Sequence, residues 1–433
     1  MYLNLTDALK NDAAALDARD IIKDCVHCGM CLGTCPTYGV LGDEQDSPRG
    51  RIYQIKNMLE GQADLASVQQ HLDRCLTCRS CETTCPSGVQ YGHLLEWGRD
   101  HLSQHHTRSW AERTQLRVLR HVLTRPALFG MLWRAASVVK NALPATYAAK
   151  LKPAAWSVSS TPETVTLQPI DLTVIVHQGC VQNTMSPNIN QATMRLLAAW
   201  GVNVQTVQDG CCGAIAAHTD DAAGARAMAA RNIKAWGAFL DKQPNALVVS
   251  NASGCGVQLK GYGHLFKHDD KHAVSAQKVS AAVRDVSEVI LLILKAYPVV
   301  RDAVQARIAA LPDAAKYMAY HEPCTLQHGQ KLKGSVSGLL TEIGVRLAPS
   351  INTHLCCGSA GTYSITQSEL SKQLLNNKIN DLKMDNAAFV LSGNIGCISQ
   401  IASAADVPVL HWIEWLDAVW AGDARVKYKK EST

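Results

Sequence analysis

The sequence predicts an α/β protein in which a mainly α-helical N-terminal domain precedes a duplicated α/β half. Three observations point there. The sixteen cysteines fall into four sets of four, two before residue 90 and two after residue 175. The later sets lie in segments that repeat one another at an offset of 144 residues, Cys180 against Cys324. Each repeat alternates apolar, β-branched runs with helical stretches, the pattern of a parallel sheet with crossover helices. At 433 residues several cores are expected. The expected division is 1–100 for the helical domain, 101–165 for a connector and linker, and 166–310 and 311–433 for the two repeats.

Composition narrows the function. Hydrophobic content of 47% and charged content of 18% exclude disorder. A net charge of +5 is too mild to imply nucleic acid as a partner. The longest apolar run, Val289–Leu294, is far too short to cross a bilayer. The first twenty residues carry Asp7, Asp12, Asp17 and Asp20 and have no signal-type apolar core. A reducing, cytoplasmic location is therefore expected, and sixteen cysteines there argue for metal rather than disulfides.

The first two sets are Cys25-x2-Cys28-x2-Cys31-x3-Cys35-Pro36 and Cys75-x2-Cys78-x2-Cys81-x3-Cys85-Pro86. They match the run of two-cluster bacterial ferredoxins, in which three thiolates come from one tight loop and the fourth from the other run. One [4Fe–4S] cluster is thus expected on Cys25, Cys28, Cys31 and Cys85, and a second on Cys75, Cys78, Cys81 and Cys35. Zinc sites pair two C-x2-C dyads and do not use four-cysteine runs closing on proline. Between the runs, Ser47-Pro48 reads as an N-cap followed by a first-turn proline, opening a helix over Ile52–Glu60. Arg49, Arg51, Arg74 and Arg79 lie near the cluster runs; they either offset cluster charge or form a solvated face.

From Arg108 to Lys152 there are nine Lys or Arg and one Glu. Phe129, Met131, Leu132, Trp133, Val138 and Val139 interleave with Arg134 and Lys140, suggesting an amphipathic basic helix. Such a helix either lies on an anionic membrane surface or packs on a neighbouring domain. Pro144, Pro153, Pro162 and Pro169, with Ser157, Ser159, Ser160 and Thr161, read as a linker.

In the repeats, Leu172–Val176 and Tyr317–Tyr320 read as strands ending at Cys180 and Cys324. Helical stretches follow at Ile189–Trp200 and Lys331–Ile343. Then come Gly210-Cys211-Cys212-Gly213 and Leu355-Cys356-Cys357-Gly358, and further helices at Ala222–Leu240 and Ser368–Leu382. A second strand in each, Ala246–Ser250 or Ala388–Leu391, closes at Cys255 or Cys397. Cysteines at strand ends lie on the ligand-binding edge of an open α/β sheet. Each quartet suits an extra cluster, a zinc ion or free redox thiols. His177, His218, His321, His328 and His354 accompany these motifs as proton relays, ligands or structural residues.

The doubled-cysteine motifs resemble the CCG cysteine-rich domain of heterodisulfide reductase catalytic subunits. That pattern closes with C-x2-C, but Ala252 and Asn394 stand where the first of the closing cysteines would be. The departure weighs against disulfide chemistry. The order of modules is similar to iron–sulfur subunits of glycolate oxidase, anaerobic glycerol-3-phosphate dehydrogenase and lactate-utilisation complexes. Cys35-Pro36-Thr37-Tyr38, Ser47-Pro48-Arg49-Gly50-Arg51, Pro323-Cys324-Thr325-Leu326-Gln327-His328 and His411-Trp412-Ile413-Glu414 look like the glycolate oxidase type. The resemblance implies a hetero-oligomer with FAD-binding glycolate oxidase subunits that oxidise glycolate to glyoxylate. This chain would pass electrons towards a quinone, with peripheral contact at the inner face of the membrane. It implies no catalytic residue on this chain, and the sequence carries no dinucleotide fingerprint or phosphate loop.

Overall fold

A computed structural model describes residues 1–139 and 169–427. The linker prolines before residue 169 and Lys140 lie outside the described residues.

The N-terminal part is helical, with α1 (Ala13–Lys23), α2 (Pro36–Leu41), α3 (Pro48–Leu59), α4 (Leu65–Asp73), α5 (Ser80–Thr84) and α6 (Tyr91–His105). Local chemistry sets their starts. Asp12 accepts from the Ala15 amide and Ser47 from the Gly50 amide, satisfying donors that a helix leaves open. Pro36 and Pro48 occupy first turns, where a missing N–H costs nothing. Ile22, Ile55, Leu59, Leu72 and Leu94 are fully buried and bring α1, α3, α4 and α6 round one small core.

The basic connector forms two helices rather than one, α7 (Trp110–Leu123) and α8 (Pro126–Val138), because Pro126 ends the first and starts the second. A capping box between Ser109 and Glu112 opens α7. Arg108 binds Asp73 and Asp220, and Arg120 binds Asp221 and the Thr219 carbonyl. Those two arginines therefore pack the connector on its neighbours, whereas Arg113, Arg117 and Arg134 are exposed or half-exposed.

Each repeat builds a four-stranded parallel sheet. The first contains β1 (Ile170–Val176), β2 (Val202–Gln205), β3 (Leu247–Ser250) and β4 (Val283–Asp285), ordered β2-β1-β3-β4. The second contains β5 (Tyr317–His321), β6 (Arg346–Leu347), β7 (Val390–Ser392) and β8 (Val409–His411), ordered β6-β5-β7-β8. Two strands per repeat exceed the sequence reading. Those added strands are two to four residues long, too short for an alternation signal to develop. Val174 pairs with Val204 on one side and Leu247 on the other. On β1, Val174 and Val176 face a core shared by both repeats, while Ile175 faces a second core with Trp236 and Val248. Burial on both faces explains why these strands read as unbroken apolar runs.

The shared core joins the repeats. Trp200 and Trp420 meet edge to face at 5.8 Å, and Arg195 reaches Asp417 at 2.6 Å. Lys331 has a positive φ and a π-type turn spans Thr325–Gly329, so the helix expected from Lys331 begins at Ser335 instead.

Candidate iron–sulfur and thiol sites

The two ferredoxin-type runs fold alike. His27 and Gly29 in the first, and Thr77 and Arg79 in the second, all have φ between 54° and 80°. Alternate left-handed residues curl successive backbone N–H groups into a concavity that favours an anion. A β-branched Thr77 and a long Arg79 in that region cost strain, which such loops accept where a ligand defines them.

One small cavity is lined by Cys25, Cys28, Cys31, Cys81 and Cys85. A second is lined by Cys35, Cys75, Cys78 and Cys81. Each of these places the fourth cysteine of one run beside the first three of the other. Cys81, Pro48 and Tyr91 line both cavities, so the two share a wall.

Charge around the second cavity is lopsided. Arg51, 1% exposed, donates to Thr37 Oγ1 at 3.2 Å, and that hydroxyl lies 3.2 Å from Cys35 Sγ. Asp46 accepts from Arg51 at 3.2 Å and Arg74 at 2.8 Å, one carboxylate against two guanidinium groups. A buried cation in excess is costly unless an anion balances it. Four thiolates round an iron–sulfur core supply such an anion, so the donor set fits [4Fe–4S] chemistry. Tyr91 OH donates to Cys75 Sγ at 3.6 Å, and Arg99 holds the Leu72 and Cys75 carbonyls at 2.9 Å. Arg49 lines the first cavity and pairs with Glu44, and Arg79 lines the second and pairs with Glu96.

In both repeats the glycine after the paired cysteines is required twice over. Gly213 and Gly358 have φ of +95° and +84°, and a Cβ there would meet the Ala225 carbonyl at 3.0 Å or the Ser371 carbonyl at 2.7 Å. The turn lets the Gly213 amide face Cys211 Sγ at 3.5 Å and the Gly358 amide face Cys356 Sγ at 3.4 Å. Asn232 and Tyr262 hold the first turn through the Cys211 and Cys212 carbonyls; Ser371 holds the second through the Gly358 carbonyl.

The first quartet is gathered round a histidine. Cys180 Sγ lies 3.3 Å from Cys211 Sγ. His177 donates through Nδ1 to Asp209 at 2.6 Å, and its Nε2 faces Cys255 without closing a full hydrogen bond. Burial opposes a charged His177, yet Asp209 and Cys255 raise its pKa to about 10. Contacts from Cys180 and Cys212 lower Cys211, and Cys212 together with His177 lowers Cys255. Hydrogen bonds to neighbouring thiols, then burial, push Cys180 and Cys212 well up. The first site thus pairs two lowered thiols with two raised ones, and a charged His177 faces the lowered Cys255. Asp209, absent from the sequence reading, makes the difference; its one signal is its place two residues before Cys211.

The second quartet is not so arranged. Cys324 Sγ lies 3.7 Å from Cys356 Sγ, and His321, Cys357 and Cys397 come within 4.8 Å of one another. His354 occupies the position of Asp209, so His321 has no carboxylate there, and burial pushes its pKa well down. Its contact with Cys356, then burial, pushes Cys324 well up. Cys356 and Cys357 also rise, because burial and their hydrogen bonds to the next thiol outweigh the lowering bond from the previous one. Asn394 donates to Cys397 Sγ at 3.5 Å and accepts from the Gly254 amide of the other repeat at 3.4 Å. The residue that replaces a thiolate therefore serves as a strut between repeats. His328 is structural, donating to the His354 carbonyl at 3.0 Å and accepting from Thr83 Oγ1 at 2.7 Å.

The repeats meet the helical domain where Leu76, Cys78, Cys324, Cys356, Tyr363 and Leu374 form one buried cluster. Beside it lies a chamber of about 550 Å³, lined by seven of the eight repeat cysteines, Cys357 excepted.

The 4Fe-4S dicluster domain matches residues 21–89, and the cysteine-rich domain matches residues 174–260 and 318–402. The chain is 42% identical to the glycolate oxidase iron–sulfur subunit of Escherichia coli over 96% of this chain and 98% of that protein. It is 30% identical to the probable glycolate oxidase iron–sulfur subunit of Bacillus subtilis over 88% of each. Lactate utilization protein A of Geobacillus thermodenitrificans is 25% identical over 51% of this chain and 87% of that protein. With the dicluster domain, both cysteine-rich repeats and similarity along nearly the whole length, this chain belongs to the family of glycolate oxidase iron–sulfur subunits.

Proposed function

We propose that this chain is the electron-relay subunit of a hetero-oligomer that oxidises glycolate to glyoxylate. In this reading FAD-binding partner subunits take the hydride, and a membrane quinone is the final acceptor. The single observation that carries it is the pairing of each three-cysteine loop with the remote cysteine of the other run in one cavity. Cys25, Cys28, Cys31 and Cys85 would hold one [4Fe–4S] cluster, and Cys75, Cys78, Cys81 and Cys35 the other. Such clusters, when bound, supply one-electron sites in series. Arg51 and Arg74 balance the charge of the thiolates, and the left-handed loops point amides at them.

A third iron centre belongs on Cys180, Cys211, Cys212 and Cys255. The support is the Asp209–His177 pair, since a carboxylate that fixes an imidazole beside a ligand set orients it and raises its basicity. Cys324, Cys356, Cys357 and Cys397 lack that carboxylate partner, and this reading leaves them without a cluster. No described helix is long and apolar enough to cross a membrane. Membrane contact in this reading is peripheral, through Arg113, Arg117 and Arg134 of the connector.

Cys28→Ser in the assembled complex tests the relay. Glycolate should still bleach the partner flavin, while electron flow to a quinone analogue stops. Loss of flavin reduction in an intact complex would place this chain in substrate chemistry and contradict the reading.

A further inference from the structure

The chamber between the repeats is not explained by ligation of metal, since most of its wall carries no ligand. The Cys75–Cys78 loop contributes Leu76 and Thr77, and α8 contributes Phe129, Trp133 and Ala136. Resting on the quinone reading above, we propose that this chamber is where an isoprenoid para-quinone binds and is reduced.

Four observations converge. The volume, about 550 Å³, opens onto the first quartet's cysteines and leaves space beside a cluster held there for a substituted ring. Arg79 is the one Lys or Arg among the described lining residues, so they form no phosphate cradle for a nucleotide. Its guanidinium pairs with Glu96, which also lines the chamber, and the pair gives the wall one polar end to face a quinone carbonyl. Finally, α8 is apolar on both sides: Phe129 and Trp133 face the chamber, whereas Met131 (61%), Leu132 (43%) and Val138 (84%) are exposed outside. A wall of that kind admits a ligand whose tail stays in lipid while its ring enters the protein.

Reduction balances as follows. The ring gains two electrons, those of the hydride removed from the 2-hydroxy acid by the partner flavin. Each carbonyl oxygen gains one proton, and a quinol forms with no bond of the ring skeleton broken. His218 lines the chamber and is exposed, giving the protons a way in from water.

The test is photolabelling of the native complex with an azido-quinone, followed by peptide mapping. Labels should fall on residues 129–136 or on the Leu76–Arg79 loop, and unlabelled quinone should compete. Ala136→Trp, which fills the chamber, should cut labelling at least tenfold with the visible absorbance of the clusters unchanged. Should that variant not fold, the wild-type map decides alone. Competed labels confined to another chain, in a complex that still reduces quinone, would overturn the chamber and leave the quinone reading intact. A complex that passes electrons from glycolate to a soluble dye but never to quinone would overturn both.

Discussion

The two cysteine-rich repeats share a sheet order, a CCG turn and four cysteines, yet they surround their thiols differently. In the first, Asp209 fixes His177, and Cys211 and Cys255 are lowered while Cys180 and Cys212 are raised. In the second, His354 stands at that position, Asn394 ties the site to the other repeat, and hydrogen bonds between thiols together with burial raise Cys324, Cys356 and Cys357. A duplicated backbone thus places the thiols alike, while the residue two positions before the paired cysteines differs, Asp209 in the first repeat and His354 in the second. Cysteines of both quartets line the chamber, and Cys324 and Cys356 of the second also join the contact with the cluster domain; under the proposed function the extra metal lies in the first repeat.

The strongest way to break the comparison is to separate the repeats. Trp200 is fully buried against Trp420, over which Arg307 lies at 4.2 Å. Trp200→Ala should destabilise the chain by about 3–5 kcal/mol. Calorimetry should then show the repeats melting in two steps rather than together; a single, unshifted transition would show that the shared core does not couple them.

Making the first site resemble the second comes next. Asp209→His removes the carboxylate that orders His177. Metal affinity at the first quartet should fall by about 10–100-fold, read as faster iron loss to a chelator. Unchanged retention would mean the pair has no part in holding metal.

A smaller contrast lies in the helix caps that follow β4 and β8. Asp285–Glu288 in the first repeat has Lys260 at 2.6 Å from Glu288. His411–Glu414 in the second is buried, and burial pushes Glu414 up to about 8, although the His411 amide works the other way. An ordinary glutamate titrates at 4.5, so between about pH 5 and 8 the folded chain keeps a proton the unfolded chain has released. Stability from this group is therefore lost as pH rises, by up to ~1.4 kcal/mol per pH unit. Glu414→Gln should flatten the fall in melting temperature across that window; an identical pH profile would remove Glu414 as its source.

Much of the fold and of the cluster sites is legible in the amino-acid order alone. The two α/β repeats and the cap at Ser47 are read from residue order and appear in the fold, and the ligand spacing already names the cysteines that the two cavities gather. What escapes depends on distant partners. His177 and Asp209 are 32 residues apart, and nothing local marks their contact. Arg51 reads equally as surface charge, because its burial depends on α4 and Asp46 folding over it. The connector reads as one helix because its basic and apolar residues continue past Pro126, which divides it; the chamber needs three parts of the chain at once. The missing thiolates at Ala252 and Asn394 are plain in sequence, but Asn394 as a strut between repeats is not.

The inequality of the repeats is tested most directly by counting iron in anaerobically prepared complexes. The wild-type chain should carry about twelve irons, eight in the helical domain and four in the first repeat, since each cubane holds four. Cys211→Ser with Cys212→Ser should leave about eight, whereas Cys356→Ser with Cys357→Ser should leave about twelve. Equal losses from the two double variants, or a wild-type count of about eight, would contradict the account.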